Sequence, residues 1–293
     1  YICRDIHTVM QRARELLPEH RKALEELPGK LSQAEALAQL LQSLDEALVH
    51  PSEEELGELF REFRPEAFGT ILGWLPKLSN QRVRDLLYGA AQRLAQAYPG
   101  EVSKALETAE ESVLLETVRL VARLKLPPVA LGLGALFGRA STPQVKVAVV
   151  EALAAIGTPG AMQQLEKGID DPDREVRIAA VKVMAQRGHR GAFPRIEAAI
   201  DGKTLLHADL TEKMAFFEAF GAMAGPAGVP RLAAMLQGGG FLKRKEDTET
   251  RACAAMALGK IPTPEAKDVL QQVSKDKDAL VRNAANKALR EVR

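Results

Sequence analysis

The chain has 293 residues, 27% of them charged and 46% hydrophobic, enough for one large domain or two ordinary ones with a sizeable core. Lys+Arg at 40 against Asp+Glu at 39 excludes binding nucleic acid by bulk positive charge, and excludes a disordered acidic or basic tail. Aromatics at 4% are too few for a typical sandwich, barrel or carbohydrate-binding surface.

The first eighty residues read as helices of irregular length. Residues 3–17 and 19–27 predict two helices broken at Pro18. Residues 32–49 predict a longer one, stopped by His50 and Pro51. Ser52 followed by Glu53, Glu54 and Glu55 is an N-cap with an acidic first turn, and opens a helix to about Phe63. Pro65 starts another that runs through Trp74. The segment 1–80 is therefore a set of degenerate repeats or a cap.

From residue 81 a period emerges. The pattern apolar-x-x-(Ala/apolar)-(Ala/apolar)-x-x-apolar starts at Val83, Leu114, Val145 and Val176, a constant step of 31. It returns at Glu212, Thr250 and Val281, with steps of 36, 38 and 31. Pro128, Pro159, Pro226 and Pro264 each fall fourteen residues after an anchor, two of them behind Thr158 and Thr263. Thr at N-cap with Pro at N1 is a helix start, because the N–H that proline lacks has no partner there anyway. Offsets 0, 3, 4 and 7, as in Val176, Ala179, Ala180 and Val183, share one face of a helix. Alanine at those positions lets helices approach closely. Second helices carry their own stripes: Ala161 with Leu165, Ala192 with Ile196, Ala266 with Leu270. Each unit is thus a helix, a turn, a second helix and a link.

Three stretches carry a likeness: Pro172 to Ala180, Glu151 to Gly157, and Arg251 to Gly259. With them the chain resembles the HEAT-repeat family, and within it the short bacterial form called phycobilisome-lyase-like. The likeness is good over residues 144–293 and weaker from 81. It implies an all-α, right-handed α-solenoid of stacked antiparallel helix pairs, a HEAT-like superhelix whose Val-Arg-x-Ala-Ala helices line the concave face.

Two columns of that repeat bear on function. One offset after the anchors stand Arg84, Lys146, Arg177, Lys213, Arg251 and Arg282, broken only by Leu115. Asp171 and Asp276 lie six residues before Arg177 and Arg282, which suits internal pairing with the linking turn. At Lys213 and Arg251 the equivalent positions are His207 and Lys245, so these two cations remain open to an acidic partner. If offsets 0, 3, 4 and 7 face the core, offsets 2, 5 and 6 face the groove. That places Ile178, Val181 and Lys182, then Met214 and Phe217, then Met256 in one strip with polar ends. Two readings of the strip stand: an exposed apolar groove for a partner's amphipathic helix or extended segment, or inner helices packed on more sides.

Other features read as structure. Residues 238–247 lengthen one link with three glycines and the cations Lys243, Arg244 and Lys245. They form a tolerated insertion or a binding rim. Cys3 and His7 share a helix face, but no second ligand pair accompanies them, so no metal and no cofactor is expected. Cys253 sits at a core offset. The two cysteines make no disulfide framework, so a reducing, cytoplasmic setting is expected. No run of residues is long and apolar enough to span a membrane. The chain opens on Tyr1 rather than Met, which reads as a processed or truncated start. The expectation is a non-enzymatic scaffold, residues 81–293 forming the solenoid and binding another protein on its concave face. The alternative is a lyase-type or nucleic-acid-processing enzyme of the same architecture.

Overall fold

The computed structural model describes residues 18–47, 51–202, 205, 207–237 and 246–291. The helix expected over 3–17, the Cys3–His7 pair, His50 and residues 238–245 of the long link lie outside them. Every regular element among the described residues is helical. Contacts gather the chain into two compact units, Tyr1–Ser141 and Thr142–Arg293.

In the first unit α1 spans Pro18–Leu31 and α2 Ala34–Glu46. The stop expected near Leu27 does not hold, since α1 continues with Pro28 inside it. It ends at Ser32, whose hydroxyl donates to the Pro28 carbonyl at 2.7 Å and accepts the Arg64 N–H at 2.9 Å. On α2, Leu37, Leu41 and Leu44 recur at helical spacing and are buried. Helix α3 (Glu53–Arg61) starts as its residues predict: Ser52 Oγ accepts the Glu55 N–H at 3.2 Å, and Glu55 Oε2 accepts the Ser52 N–H at 2.9 Å. This capping box contributes about 1 kcal/mol. Then come α4 (Ala67–Trp74), α5 (Gln81–Ala97), α6 (Pro99–Ala105), α7 (Glu111–Leu124) and α8 (Ala130–Arg139). Helix α5 packs on both α3 and α4, so the stack runs across residue 80 without a break.

The second unit is more regular. Its inner helices are α9 (Pro143–Ile156), α11 (Arg174–Arg187), α13 (Leu210–Ala224), α15 (Thr248–Leu258) and α17 (Ala279–Glu291). Each packs on the next. Between them lie the outer helices α10 (Pro159–Leu165), α12 (Phe193–Asp201), α14 (Val229–Gln237) and α16 (Pro264–Val273). Thr158 and Thr263 cap α10 and α16 as expected, accepting the N–H of Ala161 at 3.3 Å and of Ala266 at 3.2 Å. Pro128 in the first unit and Pro226 in the second behave otherwise. Each sits in a short 3-10 turn, Pro127–Val129 or Gly225–Gly228, and the second helix begins just after it. Gly157 and Gly188 end α9 and α11 in the left-handed region, at φ 65° and 59°.

Close approach of inner helices explains their small residues. A Cβ on Gly221 of α13 would lie 2.2 Å from the Ala257 carbonyl oxygen of α15. Only glycine permits that spacing. Ala180, Ala252, Ala254, Ala255, Ala257 and Ala285 are all buried by their neighbours.

Candidate functional site

The inner helices of the second unit hold the strip residues Ile178, Val181, Lys182, Met214, Phe217 and Met256, and the cations Lys213 and Arg251. At about 100° per residue, offset 5 from the anchor lies at about 140° and offset 1 at about 100°. Both point to the flank where the following inner helix packs. Offsets 2 and 6, at about 200° and 240°, point to the open side. Burial follows the angle at offset 5. Val181 is 0% exposed and Phe217 2%, so these offset-5 residues belong to the core and not to the groove. Periodicity places them in the strip only if the repeat is covered on two sides. In fact α11, α13 and α15 are each flanked by inner helices on both sides and packed by an outer segment as well. Ile178 and Met256 are buried as well, although Met256 still lines a recess. Met214 is half-buried and Lys182 is exposed.

That recess, about 220 Å³, is the groove that remains. Offset 2 contributes Met214, Ala252 and Asn283, and offset 6 contributes Glu218, Met256 and Lys287, from three successive inner helices. Leu280, exposed at 38%, stands beside them. The floor is apolar and the rim carries one charge of each sign. Glu218 is drawn towards Lys260 at 3.7 Å, whereas Lys287 is exposed with no acidic partner among the described residues.

The basic column is an internal ladder, and its partners are not those expected. Four of its six cations reach forward to a carboxylate of the following repeat, whereas Arg84 donates back to the Leu78 carbonyl and Arg282 to the Asp276 carbonyl. Lys146 bonds Asp171 at 2.8 Å, Arg177 bonds Glu212, Lys213 bonds Glu249 at 2.7 Å, and Arg251 bonds Asp276. Arg177 also donates through Nη1 to the Asp171 and Pro172 carbonyls at 2.7 and 2.8 Å. The residue six positions earlier therefore supplies its backbone to Arg177, and its side chain to Lys146. Lys213 and Arg251, left open by the sequence, are nearly buried and both paired. They are structural cations and not a free surface for an acidic partner. The hydrogen bond it donates to Glu212 pushes the Arg177 guanidinium above its ordinary value, and the one donated to Glu249 does the same to the Lys213 ammonium. Spacing could not reveal these pairs, because Glu249 lies 36 residues from Lys213 while Asp171 lies 25 from Lys146.

Sequence reasoning also missed a larger cavity of about 590 Å³ between α12 and the end of α13. Phe193 stacks on Phe220 with centroids 5.6 Å apart, and the Arg231 guanidinium lies 5.0 Å over Phe220. Arg231 is itself held by Glu197 at 2.7 Å and by Asp201. The cluster closes on its own charges and serves to seat α14 on the repeat before it. Cys253 is buried, and that burial pushes its thiol up to about 12, so it is not poised as a nucleophile.

The family model for HEAT repeats matches residues 99–185, 130–206 and 240–293. The chain belongs to the HEAT-repeat family. The match is to HEAT repeats in general and does not distinguish the phycobilisome-lyase-like form. No curated protein matches the chain. Among solved structures, human deoxyhypusine hydroxylase in complex with glycerol is 18% identical. The match covers 82% of this chain and 96% of that one, at a TM-score of 0.34. An engineered protein is 16% identical over 98% of this chain and 96% of its own, at a TM-score of 0.20. Both scores are too low to carry an argument about function.

Proposed function

We propose that this HEAT-repeat chain is a non-enzymatic scaffold that binds a segment of another protein on the inner face of its second unit. The observation that supports this most is the recess built by Met214, Ala252 and Met256 with Leu280 at its edge. Regular positions of three successive helices keep an apolar floor open on the side that packing leaves free. Methionine suits such a floor, since its flexible thioether adapts to different apolar side chains. Glu218 and Lys287 on the rim fit a partner that sets one apolar anchor between polar or charged residues. An amphipathic helix or an extended segment satisfies that demand. No helix among the described residues is long and apolar enough to cross a membrane, and a reducing, cytoplasmic setting is part of the proposal. A lyase-type or nucleic-acid-processing role draws no support from this face, where Cys253 is buried and Lys213 and Arg251 are paired internally.

A photo-reactive amino acid at Asn283 tests the reading. Cross-linking in cell extract should join the recess to one discrete protein, and Met214→Glu should abolish the adduct without shifting the melting temperature. Losing about 1–3 kcal/mol of binding at such an anchor is enough to do so. An adduct unaffected by Met214→Glu, or none while the rest of the surface cross-links, would remove this face as the binding site.

A further inference from the structure

The ladder reaches Arg282 on α17, and there its chemistry changes. Arg282 Nη1 donates to the Asp276 carbonyl at 2.8 Å and reaches the Lys277 carbonyl at 3.4 Å. Arg177 makes the same two contacts, to Asp171 and Pro172, and then adds Glu212 through Nε. The turn before each helix thus clamps one edge of the guanidinium and leaves the rest for a carboxylate. Arg282 is half-buried, and its only partners among the described residues besides its own helix are those carbonyls.

Its surroundings are cationic. Within residues 274–291, Lys275, Lys277, Lys287 and Arg290 are exposed or half-buried and have no acidic partner among the described residues. The acids of the same segment are engaged: Asp276 by Arg251, Asp278 by Thr248 at 2.7 Å, and Glu291 by Lys260 at 2.9 Å. The face is also polar where earlier repeats are apolar. Offset 5 is Val150, Val181, Phe217 and Ala255 in the preceding inner helices, all buried, but exposed Asn286 in α17.

We infer that this face of α17 docks an acidic segment of a partner protein, with one partner carboxylate taken by Arg282 as Glu212 is taken by Arg177. Charge complementarity selects the occupant: four cations (Lys275, Lys277, Arg282 and Arg290), one of them held by its own turn, with the acids of their own segment already hydrogen-bonded or paired. A carboxylate is favoured over a phosphate chain because the filled rungs at Lys146, Arg177, Lys213 and Arg251 are all carboxylate rungs. A held guanidinium also loses less freedom on binding than a mobile lysine. Lys287 is left out of this face because it stands on the rim of the apolar recess, and Arg282 itself does not line that recess, so either reading can fail without the other.

Fluorescein-labelled decaglutamate, titrated with the full chain at low salt and followed by anisotropy, is the test. Arg282→Gln should weaken binding about tenfold, and Arg282→Lys, which keeps the charge but not the planar fork, about fivefold. Lys167→Gln removes the same charge from an exposed helix elsewhere and should change it less than about twofold. Carbodiimide cross-linking of the peptide to the unaltered chain should map to Lys275 and Lys277, which keeps the test valid if Arg282→Gln fails to fold. Four results would overturn the inference: no binding, equal losses for Arg282→Gln and Lys167→Gln, cross-links elsewhere, or tighter binding of a ten-residue oligothymidylate. Concentration-dependent self-association abolished by Arg282→Gln would assign the face to a second copy of this chain and overturn it too.

Discussion

The two units join their repeats with different chemistry. In the first, arginines reach backbone carbonyls: Arg64 to Glu25 at 3.1 Å, Arg93 to Phe60 and Phe63 at 3.2 and 3.1 Å, Arg139 to Leu106. Asp45 does the converse, accepting the N–H groups of Ser79 and Asn80, both at 2.8 Å. In the second unit the main ties run from cation to carboxylate, with carbonyl ties from Arg187 to Ala154 at 2.7 Å and from Arg251 to Leu236 at 3.0 Å beside them. A carbonyl is present at every residue, so a tie to it requires only one side chain and tolerates irregular helices. The first unit accordingly mixes helices as different as the 17 residues of α5 and the 7 of α6. A carboxylate tie requires two side chains at related offsets, which suits the more regular inner helices of the second unit. It also leaves more to lose, since removing the cation strands a buried charge.

The largest contrast is expected at offset 5. Phe217→Ser should destabilise the second unit by about 3–5 kcal/mol, as for truncation of any buried phenylalanine. Tyr88, at the same offset in the first unit, is half-buried against Arg123 with 5.3 Å from ring centroid to guanidinium. Tyr88→Ser should cost about 1–2 kcal/mol. Urea titrations of the two variants rank them, and equal midpoints would mean that Phe217 faces the groove after all.

Next come the ties. Arg177→Met leaves the Glu212 carboxylate, 2% exposed, without its partner and should cost about 2–4 kcal/mol. The range sits low because the pair keeps some contact with water. Arg93→Met in the first unit removes bonds to two carbonyls and should cost about 1–2 kcal/mol. The double variant Arg177→Met with Glu212→Met should recover most of the loss. A double variant no more stable than Arg177→Met would show that the ion pair, and not its burial, stabilises this junction.

Glycine separates the units by sign. Gly221→Ala forces a Cβ against the α15 backbone and should destabilise by about 1–3 kcal/mol. Gly89 on α5 has nothing within 4 Å of an added Cβ, so Gly89→Ala should stabilise by about 0.5–1 kcal/mol. Thermal melts read both signs directly.

The smallest effect is acid sensitivity. The Thr248 hydroxyl holds Asp278 below its ordinary value of 3.8, with backbone N–H bonds from Leu280 and Val281 adding to it. A carboxylate depressed in the folded state stabilises it above the unfolded value, and that contribution is lost as pH falls through the folded value. Stability of the second unit should therefore decline below about pH 4, and less steeply in Asp278→Asn. Parallel curves for parent and variant between about pH 5 and 2 would remove Asp278 as a contributor.

Much of this is legible in the residues. Ser52 with Glu55, Thr158 with Pro159 and Thr263 with Pro264 announce helix starts through local bonds, and local bonds need no knowledge of neighbours. The steps of 31 between anchors announce stacked pairs, since each pair must present the same apolar stripe to the next. Pro128 and Pro226 depart from the expected first helical position because a 3-10 turn and an α-helix share proline's φ and differ only in which carbonyl the later N–H groups meet.

The candidate surface is legible only in part. Helical periodicity assigns every residue an angle, which is why Met214 and Met256 fall towards the groove on spacing alone. Periodicity does not say how wide an arc the neighbours cover. That width buries Val181 and Phe217, and it depends on helix spacing that Gly221 and the alanines permit. Cation partners are likewise decided in space, because Lys213 and Glu249 meet across a link whose length the repeat does not hold constant. Sequence by itself determined the helices, their period and the family. Tertiary packing decided which face stays open and which charge meets which, because both depend on groups brought together from different repeats.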